Sequence, residues 1–277
     1  MSVVDAATPR SAQILTKAQD EHRRGLAFER NYILSWRIGL LLAVLLAWQL
    51  LSGAVLDPFF FSSPSRIFDS LVGLFKSGQL FEHAGYTIYE AFAGYLIGSA
   101  AAILAASVFG PSPRLYAIIE PFLLSVYAVP SVAIAPLLIV WFGVGLASKV
   151  CLAAYFVFFV VFMNAVTGMR AVQPGWIDTV RVMGASRTQI MTKIVMRGAA
   201  PHIQAGLRLA VPEAVIGAIV GEFISSQKGI GYLILSASAK YQTAGVFAAV
   251  MILAVLVLVM AAGLRTHALH GATGRGR

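Results

Sequence analysis

Five stretches of this chain, residues 38–56, 91–113, 121–148, 150–169 and 241–264, contain no aspartate, glutamate, lysine or arginine. An α-helix needs roughly 20 apolar residues to cross a bilayer. A sixth stretch, 206–224, is apolar apart from Arg208, Glu213 and Glu222. In hydrocarbon every backbone N–H and C=O must be satisfied within the protein, which a helix achieves by itself. The reading is an all-α membrane protein with six transmembrane helices. Composition agrees. Charged residues are 12% of the 277, about half the share usual in a soluble domain.

The formal net charge of +9 invites a nucleic-acid reading, which the positions of the charges argue against. Threading the six helices puts Arg66, Lys76, Lys149, Lys228 and Lys240 on one side and the other 16 of the 21 lysines and arginines on the opposite side. Cytoplasmic loops carry the basic excess. Both termini therefore face the cytoplasm of a multi-pass inner-membrane protein, and the basic excess is topological. The expected organisation is a cytoplasmic tail (1–35), a first transmembrane helix (36–56), a periplasmic segment (57–85), a core of five helices with a long loop at 170–205 (86–266), and a second cytoplasmic tail (267–277). The first tail reads equally as an amphipathic helix on the inner leaflet or as a solvated segment. A cleaved signal peptide does not fit, because the apolar run fills a whole span. Cys151, the single cysteine, has no partner for an internal disulfide and reads as a packing residue.

Small residues recur every four positions at Gly94, Gly98, Ala102 and Ala106, and again at Gly206, Ala210, Ala214 and Ala218, with Gly217 and Gly221 alongside. Such stripes let helix backbones approach closely in lipid. Both are expected to be packing faces.

The loop at 170–205 carries the polar stretch DTVRVMGASRTQI, residues 178–190. A short helix over 176–183 would end at Gly184, a residue suited to the left-handed position after a helix. Ser186 and Gln189 then have capping-box spacing for a second helix. Ile190, Ile194 and Val195 give that helix an apolar stripe, and Pro201 is expected to stop or bend it. A connector between helices needs only about 2–8 residues. A longer loop with its own caps points to a docking surface.

This loop resembles the EAA loop of binding-protein-dependent ABC importer permeases. Asp178, Thr179 and Val180 stand at the E-A-A places, Gly184 at the glycine, and 194–197 at the I-x-L-P ending, where Arg197 replaces proline. VPSVAIAPLLIVWFGVGLASKV (129–150), APHIQAGLRLA and GEFISSQKGIGYLI are similar to the nitrate, taurine and alkanesulfonate branch. The resemblance implies a type I ABC importer permease fold whose loop is a coupling helix seated on a separate ATPase. Asp178, Arg181, Gly184, Ala185, Ser186 and Arg187 become the coupling candidates. It also implies permease dimers, two ATPase subunits that hold the ATP and magnesium, and an extracytoplasmic solute-binding protein. This chain itself would need no cofactor or metal and would catalyse nothing. Nitrate, taurine, other sulfonates, bicarbonate or a pyrimidine precursor would be the cargo.

Residues 121–148 are long for one span and contain Pro130 and Pro136. Irregular backbone at membrane depth is tolerated where it lines a cavity, so Pro130, Ser131 and Pro136 are candidates for the pathway wall. A kink packed on neighbours is the competing reading. Ionisable groups inside spans are costly and tend to face the interior, which adds Glu213. Arg208 would pair with it or reach back to the interface. Glu222 lies nearer the outer face, and Glu90 opens the second span. The resemblance places Gly229, Gly231 and Tyr232 near an outer gate. The sequence holds no phosphate-binding G-x-x-x-x-G-K-[ST], no metal-site spacing and no catalytic triad. His202 reads as a surface or interface residue. An ion-coupled secondary transporter is the alternative function, although the halves show no matching broken helices. A structural assembly factor would not need the loop.

Overall fold

In the computed structural model, backbone is described for residues 9–273, and side chains for residue 29 and residues 31–263. Parts of both expected tails, 1–8 and 274–277, lie outside the described residues. So do the side chains that would make the first tail amphipathic. The described residues are helical apart from turns and one isolated bridge between Ser52 and Leu56. The chain divides into two compact units, Met1–Arg66 and Ile67–Arg277.

The first unit is dominated by α1 (Pro9–Leu51), whose stretch Asn31–Leu51 is long and apolar enough to span. Its leucines face outward along the length, as in Leu40, Leu46 and Leu50. A helix apolar all round suits lipid rather than water. The helix stops at Leu51, and the last apolar residues of the run form a turn. Gly53, at φ +91°, donates to Leu56 O at 2.8 Å. Asp57 then caps α2 (Pro58–Phe61) by accepting from Phe59 N at 2.8 Å. Next comes α3 (Pro64–Lys76), which runs on into the second unit.

In the second unit α4 (Gln79–Phe109), α7 (Leu146–Arg170) and α10 (Met196–Ser225) form a three-helix core with α7 at its centre. The glycine stripes explain the closeness. A β-carbon at Gly98 would lie 2.5 Å from Ala154 O, and one at Gly217 would lie 2.6 Å from Ala153 Cα. Gly94 and Gly98 meet α7 near Ala153 and Val157, so α4 and α7 run parallel. Gly198, Gly206, Gly217 and Gly221 meet Val172, Asn164, Ala153 and Lys149 in turn, so α10 runs antiparallel to α7 along its full length. Because lipid tails are as apolar as leucine, this close contact of backbones, rather than escape from water, holds the helices together. The two small-residue stripes are packing faces, as expected.

Two features differ from the sequence reading. The run at 121–148 is two helices, α5 (Pro113–Ala128) and α6 (Ser131–Phe142), bent by 92° at Val129–Pro130. Proline disfavours the helical region for the residue before it, and Val129 is extended, with ψ 125°. Pro201, expected to stop or bend its helix, lies inside α10. After α8 (Pro174–Val182) and the short α9 (Arg187–Gln189), a π-helical turn, Ile190–Val195, leads without a break into α10. Packing on α7 to either side of Pro201 holds the rod together. α11 (Ile230–Ala239) and α12 (Thr243–Thr273) complete the fold. Four helices qualify as spans, or five when the bent pair counts as one; α10 is not among them.

Candidate functional site

At the end of the core where α7 finishes, the chain turns into α8. Proline opens α8 where its missing N–H costs nothing. The helix closes in a Schellman motif. Gly184, at φ +85°, donates to Arg181 O at 3.0 Å, and Ala185 N donates to Val180 O at 3.0 Å. Ser186 Oγ accepts from Gln189 N at 3.2 Å, while Gln189 Oε1 accepts from Ser186 N at 2.8 Å, a complete capping box. The turn from α8 to α9 is therefore fixed by its own backbone. Asp178 and Arg181 pair at 2.8 Å in the open, Arg187 is exposed, and Ala185 is half-buried. Val182 and Met183 are 89% and 80% exposed, and Trp176 is exposed beside them. These three apolar side chains lie open on a polar loop. Recesses of about 390 and 380 Å³ flank the loop, the first lined by Asp178 and Arg181, the second by Gly184 and Ala185.

At the opposite end, where α4 and α7 begin and α10 finishes, the segment 226–232 is pinned to all three helices. Lys149 Nζ donates to Glu90 Oε1 and to Ser226 Oγ, each at 2.8 Å. Gly229 N donates to His83 Nδ1 at 3.0 Å, and Ile230 N to Thr87 Oγ1 at 2.9 Å. The Thr87 hydroxyl donates to Glu222 Oε1 at 2.6 Å, and Gly231 N to the other oxygen of that carboxyl. Gly229 needs to be glycine twice over. Its φ is +108°, and a β-carbon would overlap the Glu222 carboxyl. Tyr232 stacks on His83 at 5.7 Å. Lys228 reaches Tyr86 and Glu82, both at 3.0 Å, and these hydrogen bonds raise its pKa above the ordinary lysine value.

Between the two ends, the bend joining α5 to α6 opens a cavity of about 340 Å³. Pro130 and Ser131 line it from the bend, Tyr127 from α5, Tyr155 and Phe159 from α7, and Glu213 from α10. The Tyr155 hydroxyl donates to Val126 O at 2.8 Å, fixing that ring, and Phe159 packs against both tyrosines. Pro136 lies further along α6 and is not part of this lining. Arg208 is exposed and, among the described residues, forms no ion pair with Glu213.

Residues 94–267 match the family described as binding-protein-dependent transport system inner membrane component. The chain belongs to that family. The permease is 35% identical to a Bacillus subtilis protein named as an aliphatic sulfonates transport permease, covering 89% of this chain and 90% of that one. It is 29% identical to the taurine transport system permease protein of Escherichia coli, over 81% of this chain and 84% of that one. A chain of the MetNI methionine ABC transporter, from an inward-facing crystal form, has the same fold, with a TM-score of 0.55 at 18% identity over 69% of this chain and 93% of its own. This is a transmembrane permease subunit of an ABC importer, and the secondary-transporter alternative is not favoured.

The two turns of the permease are legible in its sequence, and so is a backbone irregularity at Pro130, but not the polar cluster between α4, α7 and α10. Lys149, which the charge count places on the side of Lys76, Lys228 and Lys240, is buried at the start of α7 and pairs with Glu90. Glu90, expected to open the second span, sits a third of the way along α4, because that helix begins at Gln79. The signal available was the glutamate itself: an ionisable residue beside an apolar run needs a partner, and a lysine at the head of a neighbouring span is one.

Proposed function

We propose that two copies of this permease form the transmembrane pathway of an importer driven by separate ATP-binding subunits. Six crossings per copy are formed by α1, α4, the bent pair α5–α6, α7, α10 and α12, with both termini cytoplasmic. The loop from α8 to α9 docks on the ATPase, with Asp178, Arg181, Gly184, Ala185, Ser186 and Arg187 at the contact. ATP and magnesium reside on that partner. An extracytoplasmic binding protein delivers a small organic solute to the side bearing Gly229, Gly231 and Tyr232. ATP binding draws the two loops together and opens the pathway outward; hydrolysis resets it, so nucleotide biases a two-state equilibrium between helix arrangements.

The observation that carries this reading is the loop itself. A turn fixed by a Schellman motif and a capping box transmits displacement, where a flexible connector would absorb it. Affinity purification of the tagged full-length chain in mild detergent, followed by mass spectrometry, tests it. The expected result is a stoichiometric ATPase with a phosphate-binding loop, lost on Gly184→Val. Valine at a left-handed position costs about 1–2 kcal/mol and misplaces α8 relative to α9. A chain that purifies alone and drives uptake into proteoliposomes without ATP would overturn the reading.

A further inference from the structure

The cavity at the α5–α6 bend has a one-sided chemistry. Glu213 is the only carboxyl in its lining, and no lysine, arginine or histidine lines it. Among the described residues no side chain pairs with the Glu213 carboxyl. A half-buried carboxylate in a low-dielectric site is costly until an opposite charge joins it. Around it stand aromatic faces: Tyr127 and Phe159 with centroids 5.3 Å apart, and Tyr155 and Phe159 at 5.0 Å. Ring faces attract ammonium groups, and these rings and the Glu213 carboxyl line one cavity. The cavity, at about 340 Å³, is near the lower end of the roughly 300–1,000 Å³ of small-molecule sites.

One feature of the same cavity opposes this. The first turn of α6 begins at Ser131, and a helix N-terminus carries about half a positive charge. The last turn of α5 ends at the same bend, however, and its carbonyl groups carry the opposite partial charge. The two ends offset one another and leave the full charge of Glu213 to decide.

We propose that this cavity binds the ammonium end of a small organic solute, with Glu213 as its counter-ion and Tyr127, Tyr155 and Phe159 as its aromatic wall. The inference rests on the permease reading, since it places a solute site on the route the cargo takes. Cations and zwitterions that carry an ammonium group qualify; simple anions do not. In a zwitterion the anionic end meets the first amides of α6.

A matched pair of probes tests this: benzylammonium and benzenesulfonate, which share a ring and differ in the sign of charge. Each is titrated calorimetrically into the full-length permease in lipid nanodiscs, with empty nanodiscs as the blank. The expected result is saturable binding of benzylammonium, about tenfold or more tighter than benzenesulfonate. Glu213→Gln removes the preference. Tyr127→Leu weakens benzylammonium several-fold and leaves benzenesulfonate unchanged, and it stands in for Glu213→Gln if that variant fails to assemble. No binding of benzylammonium, equal or stronger binding of benzenesulfonate, or a preference that survives Glu213→Gln would each overturn the inference. ATPase co-purification is scored on the same preparations. If the ATPase stays bound while the charge preference is absent, only the solute class is wrong. If the ATPase is absent, the coupling reading falls, whatever the probes show.

Discussion

Lys149 sits 7% exposed between Glu90, at 1%, and the Ser226 hydroxyl, with Glu222 close by at 0%. Removing one partner of a buried pair leaves an uncompensated charge and costs about 3–5 kcal/mol, whereas replacing both partners with apolar groups is often neutral. Lys149→Met is therefore expected to lose about 3–5 kcal/mol of stability in a denaturation titration in detergent, and Glu90→Leu added to it should recover most of the loss. A Lys149→Met protein as stable as the wild type would show that the pair holds nothing together. The sequence displays each of these residues but not their meeting. Lys149 follows LAS at the head of an apolar run, a position typical of a loop charge. Only the parallel packing of α4 on α7, set by Gly94 and Gly98, brings it against Glu90. Gly229 and Gly231 tell the same story. They read as a turn, while the carboxyl that forbids a side chain there arrives from α10.

Among the elements, local chemistry was readable where the chain makes its own hydrogen bonds. The α8–α9 turn is the clearest case, because Gly184, Ser186 and Gln189 satisfy each other's neighbours within a few residues. Ser186→Ala removes one half of that box and should cost about 1 kcal/mol at the start of α9. Hydrogen exchange at the Gln189 amide should rise about fivefold by the same measure, with exchange in α4 and α7 unchanged. An unaltered Gln189 amide would mean that the cap does not hold the helix start. The prolines show where local reading ends. Pro130 breaks its run, yet Pro121, Pro136, Pro201 and Pro212 all lie inside helices. Each proline leaves one helical hydrogen bond unmade, and membrane helices tolerate that when neighbours cover the gap. Whether a neighbour does so is a tertiary fact, and Gly198 on Val172 and Gly206 on Asn164 supply it around Pro201.

For the whole molecule, the all-helical architecture was legible because apolar runs of spanning length leave no alternative; the role of α10 was the hard part. It is not among the candidate apolar spans, yet it has 30 residues, about 45 Å of helix. It also lies antiparallel against α7 from Gly198 on Val172 to Gly221 on Lys149. Since α7 has spanning length and apolarity, we propose that a helix matched to it end for end crosses the same thickness. Orientation follows from charge. The end with α8 carries Arg114, Arg170, Arg181, Arg187, Lys193 and Arg197, while at the other end Lys149 is already neutralised. We propose that this basic end faces the cytoplasm, since cytoplasmic loops carry the basic excess. Cysteine accessibility checks orientation and crossing number together, in a Cys151→Ser background with single replacements at the exposed positions Ser77, Thr188 and Gln242. A membrane-impermeant maleimide should label Ser77→Cys and Gln242→Cys in intact cells, and Thr188→Cys only after permeabilisation. Labels reversed at all three sites would invert the topology. Gln242→Cys reacting only after permeabilisation, with Ser77→Cys reacting before it, would mean that α10 turns back, and the sixth crossing would be lost with it.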